Sequence, residues 1–337
     1  MLVRVLAEDK LKISFNLISC GLGNNGGSTT IIRSANTLHE LGHEVTIVDS
    51  GKNKHTWNDI KCNHLIIKDL SSFPFGDAVI ATGFRTVEST LELDDNCGKK
   101  YHWIRLLENH ICNEKELINV FKAPTIKIVN SICLQRKLLE YNEPSIIIRP
   151  GYDFDEIYPL NIRKKNEAMI LGGLYNEGSK RANKRTEWIF NVYDYLKNQG
   201  QNVKLYMFGS DGTPSKKIDK YLKDPPIIQK NELFNQVDIW LAPSSLEGLH
   251  IAPAEAMLTE CACVGTDADQ SGTEDYLINC ETGLVSSNTF NSFINHVEAL
   301  MNNKKARQQF GKDGREKVKS LGDRKDNMRK LVHFLEG

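Results

Sequence analysis

Two glutamates eight positions apart, Glu247 and Glu255, have the chemistry and spacing to bind one polyhydroxyl ligand. Pro253 fits the first turn of a helix, where its missing N–H costs nothing, so the sequence predicts a helix start at 250–252. Glu247 then lies in the loop before the helix, and Glu255 lies within its first turns. The free amides of a helix start favour a diphosphate, and carboxylates accept hydrogen bonds from vicinal hydroxyls of a ribose or a hexose. Alternatively, Glu255 only offsets the helix dipole.

A glycine-rich loop near the start of the chain is a second candidate. Residues 19–32 read SCGLGNNGGSTTII, with G-x-G-x-x-G at Gly21, Gly23 and Gly26 between an apolar run and a helix-like segment. This arrangement is typical of a dinucleotide cradle, and Asp49 ends the next strand-like run. Gly21 and Asp49 are 28 positions apart, however, whereas the usual separation is about 20. An NAD(P)- or FAD-dependent oxidoreductase is therefore an alternative that explains only the first 50 residues.

Short apolar runs alternate with amphipathic segments along the chain, which predicts α/β domains built on parallel sheets. The predicted strands of the first series are 13–19, 45–49, 64–67, 78–81, 101–106, 126–130 and 145–148, and those of the second are 168–171, 203–208, 239–242, 262–265 and 284–285. Turn-forming and charged residues separate the two series, so the boundary is expected near 150–165. We expect two Rossmann-like domains that face each other across a cleft, over 1–155 and 156–315. A C-terminal helix over 316–337 follows, with packing on the first domain as one arrangement.

The composition excludes several classes of protein. Lys plus Arg and Asp plus Glu are equal at 43 each, so a broad nucleic-acid or membrane-surface partner is not favoured. The eight cysteines are scattered and form no C-x-x-C pair, which indicates reduced thiols. Early charged residues do not fit a signal peptide, and no apolar stretch approaches the ~18 residues of a membrane span. These features predict a soluble, cytoplasmic protein with no stable membrane insertion.

The most informative segment is 241–285, LAPSSLEGLHIAPAEAMLTECACVGTDADQSGTEDYLINCETGLV. It resembles the signature region of glycosyltransferase family 4, the retaining nucleotide-sugar transferases of the GT-B fold. The matching features, in order, are Pro243-Ser244, Glu247-Gly248, Glu255, Ala256-Met257, Cys263–Gly265, Ser271-Gly272 and Thr282–Val285. The stretches IIRPGYDFDEIYP, VKLYMFGSDG, ELFNQVDIWLAPS and GGSTTIIRSANTLHELGHEVTIV also resemble family segments in the right order.

The resemblance implies a donor-binding C-terminal domain and an acceptor-side N-terminal domain. It implies that Glu255 binds the nucleotide ribose and that Glu247 acts at the donor sugar as a catalytic residue. The helix start would hold the donor diphosphate, and the donor-binding set there is Ser244, Gly248, Leu249, His250 and Ile251.

The basic segment after the first strand of the second domain is where the resemblance places the cations for the leaving diphosphate. Aligning its helix places Lys184 on the family's lysine, as a catalytic residue. The family's phosphate arginine is replaced here by Gly173, and Arg181 or Lys180 on the longer loop is the expected substitute. Arg185 replaces a family glycine. His250 stands where the family has a small glycine, and either narrows the donor pocket or caps the helix.

In the first domain, YHWIRLLENH over 101–110 resembles the family loop that faces the donor sugar. Its candidates are Arg105 and the catalytic candidates Glu108 and His110. Gly26, Gly27 and Ser28 end the glycine loop at a helix start and are expected near the diphosphate and the acceptor.

The implied reaction moves a sugar from a nucleoside diphosphate sugar to a hydroxyl acceptor with retention, and requires no metal or other cofactor. The acceptor is a glycan, a lipid-linked compound or another hydroxyl, and a nucleic acid is not favoured. Two D-x-D stretches, Asp153–Asp155 and Asp267–Asp269, are interpreted as structural. An inactive GT-B binding module is a further alternative, because of Gly173 and His250.

Overall fold

The structure is a computed structural model that describes residues 10–109, 111–161, 168–176, 179–210, 212–214, 216 and 218–337, with only the backbone over 179–181. The chain divides into two compact units. The first unit comprises the described residues up to Asn130 together with Lys137–Pro150 and Arg324–Gly337. The second unit comprises Ser131–Arg136 and Gly151–Asp323.

The first unit is built on a parallel sheet of seven strands among its described residues. The strands are β1 Lys12–Leu17, β2 Glu44–Asp49, β3 Asn63–Ile66, β4 Ala78–Ala81, β5 Lys99–Ile104, β6 Ile126–Val129 and β7 Ile146–Ile147. Their order across the sheet is β3-β2-β1-β4-β5-β6-β7, with parallel pairing at each described ladder. The central strands are buried on both faces, which is why they appear in the sequence as continuous apolar runs.

The described part of the second unit holds a parallel sheet of six strands. They are β8 Met169–Leu174, β9 Val203–Gly209, β10 Lys220–Lys223, β11 Ile239–Ala242, β12 Ala262–Thr266 and β13 Leu284–Ser286. The order is β10-β9-β8-β11-β12-β13. The sequence patterns predict all of these strands except β10, a four-residue edge strand whose residues are only partly buried. A strand this short and polar carries too little alternation to be recognised.

Helices connect the strands, as parallel pairing requires. They are α1 Gly26–Glu40, α2 Phe84–Leu91, α3 Glu114–Lys122, α4 Ile132–Glu140, α5 Thr186–Asn198, α6 Ile227–Gln236, α7 Ile251–Leu258, α8 Phe290–Asn302, α9 Lys304–Ser320 and α10 Arg324–Glu336. A 3₁₀ segment, Ser179–Lys184, precedes α5. The first helix ends before Gly42, as its sequence predicts.

The expectation of a single C-terminal helix over 316–337 is wrong in its bounds. The helix α9 continues to Ser320, and α10 begins only at Arg324. Gly322 separates them with φ +92°, a left-handed conformation that ends a helix. Met328, Leu331 and Val332 of α10 are buried in the core of the first unit.

Each sheet reverses its strand order at one place, between β1 and β4 in the first unit and between β8 and β11 in the second. In open parallel sheets, ligands bind at the carboxyl ends of the strands beside such a reversal. In the second unit the loops that leave these strands are 175–185 and 243–250, which contain Lys184 and Glu247.

Candidate active site

The centre of the candidate site is an ion pair between the two loops at the strand reversal of the second unit. Lys184 Nζ lies 2.7 Å from both carboxylate oxygens of Glu247. The Lys184 side chain keeps 26% of its exposure, whereas the Glu247 side chain keeps 11%. Since an ammonium carries three N–H donors, Lys184 has one donor more than the two that meet Glu247.

Glu247 is ionised in this environment. Burial raises the pKa of its carboxyl, but the charge of Lys184 and the hydrogen bonds donated to the carboxylate outweigh burial, so the pKa lies below its ordinary value. The pair places a fixed negative and a fixed positive group where a donor sugar and a phosphate are expected to meet.

His250 occupies the position before the first residue of α7, and its side chain accepts no capping hydrogen bond there. Its Nε2 lies 3.6 Å from Glu247 Oε1, and its buried Nδ1 has no hydrogen-bond partner among the described residues. Burial lowers the pKa of His250 to about 4, because the Glu247 carboxylate only partly offsets burial and Lys184 adds to it. The imidazole is therefore neutral at neutral pH.

Asn183 fixes the loop that carries Glu247 to the segment that carries Lys184. Its backbone carbonyl accepts hydrogen bonds from Ser245 N at 2.8 Å and from the Ser244 hydroxyl at 3.1 Å. Its side-chain amide donates to Leu246 O at 3.1 Å. Ser244, a donor-binding candidate, is buried, and its side chain contacts the Glu247 carboxylate.

A second turn holds the start of α7. Glu247 N donates to Gln270 O at 2.7 Å, and His250 N donates to Gly272 O at 2.9 Å. Gly272 has φ +68°, and a Cβ there would lie 2.6 Å from the Cβ of Glu247. The Tyr276 hydroxyl donates to His250 O at 2.5 Å. These bonds fix Gly248, Leu249 and Ile251 at the predicted helix start.

The helix α7 is held in place by α9 through small residues. A Cβ at Gly314 would lie 2.6 Å from Met257 Cε, and a Cβ at Gly311 would lie 2.1 Å from Glu260 O. The two helices therefore approach more closely than larger side chains would allow. Pro253 lies in the first turn of α7 as predicted, and the first-turn amides of a helix have no intrahelical partner.

Glu255 lies in the second turn of α7 and has a cationic neighbour that the sequence patterns do not reveal. Lys230 Nζ, on α6, lies 2.5 Å from Glu255 Oε2. The Glu255 side chain keeps 12% of its exposure and the Lys230 side chain 20%. Lys230 lies on α6, the helix before β11. A lysine on an amphipathic helix normally indicates a solvated face, so the sequence gives no signal for this ion pair.

The structure gives the remaining candidates of the second unit different places. Gly173 lies within β8, and a Cβ there would lie 2.7 Å from Ile189 Cδ1, so this position faces the packing of α5. The Arg185 guanidinium lies 4.5 Å from the centroid of the Trp188 ring and donates hydrogen bonds to Asn288 at 2.5 Å and to Pro243 O at 3.5 Å. The side chains of Lys180 and Arg181 lie outside the described residues.

In the first unit, Arg105 joins the first turn of α1 to the residue that follows β4. Its Nη1 donates to Gly27 O and its Nη2 donates to Thr82 O, both at 2.5 Å. Burial lowers the pKa of the Arg105 guanidinium, and the nearby Glu108 carboxylate opposes that effect. Arg105 therefore ties the end of the glycine loop to Thr82.

Glu108 and the glycine loop also use their polar groups locally. Glu108 Oε2 accepts a hydrogen bond from Phe84 N, at the start of α2, over 2.6 Å. The helix α1 begins at Gly26, and Asn25 accepts the hydrogen bond of Ser28 N at 2.9 Å. The Ser28 hydroxyl in turn accepts from Gly23 N at 3.1 Å. The other candidate of this unit, His110, lies outside the described residues.

Asp49, the acid of the alternative dinucleotide site, is buried and has local partners. Its Oδ1 accepts from Gly51 N at 3.2 Å, and its Oδ2 lies 3.7 Å from His64 Nε2. The carboxylate thus stabilises the turn after β2.

Among the described residues, no group of three or more His, Cys, Asp or Glu side chains has the geometry to hold a metal ion. Among the described helices, none has the length and apolar character needed to cross a membrane.

Part of the sequence is similar to known proteins. Residues 178–317 match the family model described as glycosyl transferases group 1. Over 144 residues, 38% of the chain, the sequence is 25% identical to the capsular polysaccharide biosynthesis glycosyltransferase CapM of Staphylococcus aureus. That match spans 36% of the length of CapM, so about a third of this curated relative is covered.

Solved structures resemble the chain over almost its whole length. Sucrose-phosphate synthase from Thermosynechococcus elongatus has a TM-score of 0.77 at 12% identity, covering 97% of this chain and 98% of that one. Anabaena Alr3699/HepE in complex with UDP-glucose has a TM-score of 0.76 at 11% identity, covering 97% and 99%. These likenesses confirm the predicted GT-B fold, and the match over 178–317 confirms the predicted resemblance to glycosyltransferases. The narrower assignment to family 4 stays a prediction.

Proposed function

We propose that the chain transfers a sugar from a nucleoside diphosphate sugar to a hydroxyl acceptor. The match of residues 178–317 to the group 1 glycosyl transferases supports this proposal. The observation that carries the proposal is the Lys184–Glu247 pair, at the strand reversal of the second unit and directly before the start of α7. A cation and a helix start complement the negative phosphate of a phosphosugar, and a carboxylate accepts hydrogen bonds from its hydroxyls.

The proposed donor lies with its diphosphate at the first-turn amides of α7 and beside the remaining donor of Lys184. Glu247 accepts hydrogen bonds from hydroxyls of the donor sugar, and Glu255 accepts one from the ribose. The relative Anabaena HepE is described in complex with UDP-glucose, so UDP-sugars are the first donors to test.

In the proposed reaction, the bond between the anomeric carbon and the phosphate oxygen breaks as the acceptor oxygen bonds to the same carbon. The acceptor proton passes to the leaving phosphate oxygen, so charges and atoms balance without a further reactant. Lys184 and the helix start stabilise the negative charge that grows on the diphosphate, and this stabilisation is preorganised because both are fixed before the donor binds. We propose retention of configuration and no metal requirement.

A ligand panel combined with a transfer assay tests the proposal. Thermal unfolding is measured with UDP, GDP, ADP, dTDP and NAD, each with and without EDTA. A ligand at one hundred times its dissociation constant adds about 2.7 kcal/mol, so binding is readily seen. The expected result is a shift with one nucleoside diphosphate that EDTA does not remove.

The matching sugar donors are then incubated with glycan and lipid-linked acceptors, and released nucleoside diphosphate and the anomeric configuration of the product are measured. Glu255→Gln is expected to weaken donor binding. A shift with NAD alone would favour the dinucleotide alternative. Binding without turnover on any acceptor would favour an inactive binding module.

A further inference from the structure

Lys230 lies beside Glu255 but is not a member of any site predicted from the sequence. It comes from α6, whereas Glu255 comes from α7, and the two side chains form an ion pair with Nζ 2.5 Å from Oε2. Both side chains are largely buried. Burying an ionised pair costs desolvation energy, so the pairing fixes both groups strongly once it forms.

Two aromatic rings restrict the Lys230 side chain further. Its Nζ lies 5.3 Å from the ring centroid of Phe208 and 5.8 Å from that of Phe234. The rings themselves pack edge to face with centroids 5.7 Å apart. A cation over aromatic faces is electrostatically favoured, and its alkyl stem covers apolar surface. The ammonium is therefore held on three sides, by two rings and one carboxylate.

The carboxylate retains the capacity to bind a ligand. Glu255 Oε2 is buried against the Lys230 ammonium, which lies 2.5 Å away. A carboxylate oxygen accepts hydrogen bonds at two lone pairs. The second carboxylate oxygen, Oε1, can accept a hydrogen bond from a hydroxyl group of a ligand.

We propose that Lys230 is a positioning residue that sets the specificity of the site for ribose. It holds the Glu255 carboxylate in the orientation that accepts a hydrogen bond from a ribose hydroxyl. The proposal rests on the proposed function, which places the donor ribose at Glu255. It implies that the chain distinguishes ribonucleotides from nucleotides that lack both ribose hydroxyls, and that this distinction depends on Lys230.

The test is calorimetric titration with three probes: UDP, its 2′,3′-dideoxy analogue and inorganic pyrophosphate, with GDP and ADP in parallel. Lys230→Met is expected to weaken UDP binding about tenfold, the scale of one hydrogen bond to a charged group. Binding of the dideoxy analogue and of pyrophosphate should not change. Lys230→Arg, which keeps the charge, should restore most of the UDP affinity.

The matched control is Lys220→Met. Lys220 Nζ also lies over an aromatic ring, 5.4 Å from the centroid of Tyr206, and contacts Gln236 rather than Glu255. Its replacement should leave all three affinities unchanged. A double variant, Lys230→Met with Glu255→Gln, removes the unpaired carboxylate and keeps the test valid if Lys230→Met alone folds poorly. Its UDP affinity should equal that of Glu255→Gln alone.

Several results would overturn the inference. Unchanged UDP affinity in Lys230→Met would show that Lys230 does not act through Glu255. An equal loss for UDP and the dideoxy analogue, or a loss for pyrophosphate, would assign Lys230 to general attraction of phosphate. If the double variant binds UDP more weakly than Glu255→Gln alone does, Lys230 is likewise assigned to general attraction of phosphate. If the unaltered chain binds none of the nucleoside diphosphates, the proposed function fails and this inference fails with it.

Discussion

Lys184 Nζ is equidistant from the two carboxylate oxygens of Glu247, at 2.7 Å from each, although 63 residues separate the two in sequence. The pair joins the two loops that leave the adjacent strands β8 and β11. Its geometry therefore depends on the sheet and not on local sequence.

Replacing Lys184 by Met is expected to lower turnover about a hundredfold, the scale of losing one group that stabilises developing charge. The Michaelis constant for the donor should change less, because the helix start still holds the diphosphate. Initial rates of nucleoside diphosphate release over a range of donor concentrations measure both. Lys216→Met is the control, since Lys216 forms a 2.7 Å ion pair with Asp194 in which both side chains are about half exposed. An equal loss of turnover in the control would contradict the assignment.

Gly272→Ala is expected to destabilise the second unit by more than backbone strain alone. The residue has φ +68°, and the new Cβ would meet the Cβ of Glu247 at 2.6 Å. Gly200→Ala is the matched variant, because Gly200 has φ +75° with no described atom within 4 Å of the new Cβ. Both changes incur the left-handed penalty of about 1–2 kcal/mol. Overpacking should add about 1–3 kcal/mol at Gly272 only, measured by denaturant unfolding. Equal losses of unfolding free energy in Gly272→Ala and Gly200→Ala would show that Glu247 shifts without cost.

Arg105→Met removes the two hydrogen bonds that join Gly27 O and Thr82 O. Since hydrogen bonds to charged groups contribute about 1.5–3 kcal/mol each, the free energy of unfolding should fall by about 3 kcal/mol. Amide hydrogen exchange in the first turn of α1 should also become faster. Arg85→Met is the control, because Arg85 is exposed and lies 5.5 Å from the Phe84 ring centroid. If exchange in α1 is unchanged, the glycine loop does not depend on Arg105.

His250 makes stability depend on pH in a defined window. Its pKa in the folded chain is lowered to about 4 by burial, below the ordinary value near 6.5. The unfolded chain therefore binds more protons between these values, so the stabilising contribution is present above pH 6.5 and is lost as the pH falls towards 4. By this linkage, His250 should account for about 2 kcal/mol of lost stability between pH 7 and pH 5.

His250→Gln, which does not titrate, is the comparison for this effect. His102 contributes in the same direction, since burial lowers its pKa to about 3, and it is present in both proteins. The difference between the two unfolding curves therefore isolates His250. Identical loss of stability on acidification in both proteins would show that His250 is not buried as a neutral group.

The strands that position the site are predictable because burial leaves a clear mark in the sequence. Strands such as Ile239–Ala242 are buried along their whole length and appear as short apolar runs. Pro253 and the following residues likewise mark the start of α7. In contrast, the edge strand Lys220–Lys223 is partly exposed and polar, so its sequence does not differ from that of a loop.

The contacts within the site were less predictable than the residues themselves. Glu247 and Lys184 are evident as charged residues beside predicted strand ends, but their pairing requires the order of strands across the sheet. The sequence does not reveal the role of Lys230, because its partner lies on the next helix and no periodicity links residues 230 and 255. The resemblance places Gly173 near the donor, but in the structure its position in β8 faces Ile189 of α5.

The helix Arg324–Glu336 completes the hydrophobic core of the unit that contains the first strand. During synthesis on the ribosome, residues 12–148 therefore emerge long before the last element of their own core. The second unit, which has its own sheet and core clusters, is fully translated in the interval. We infer that the first unit completes its hydrophobic core only after Leu335 has been synthesised. Until then, the apolar residues that α10 covers stay exposed.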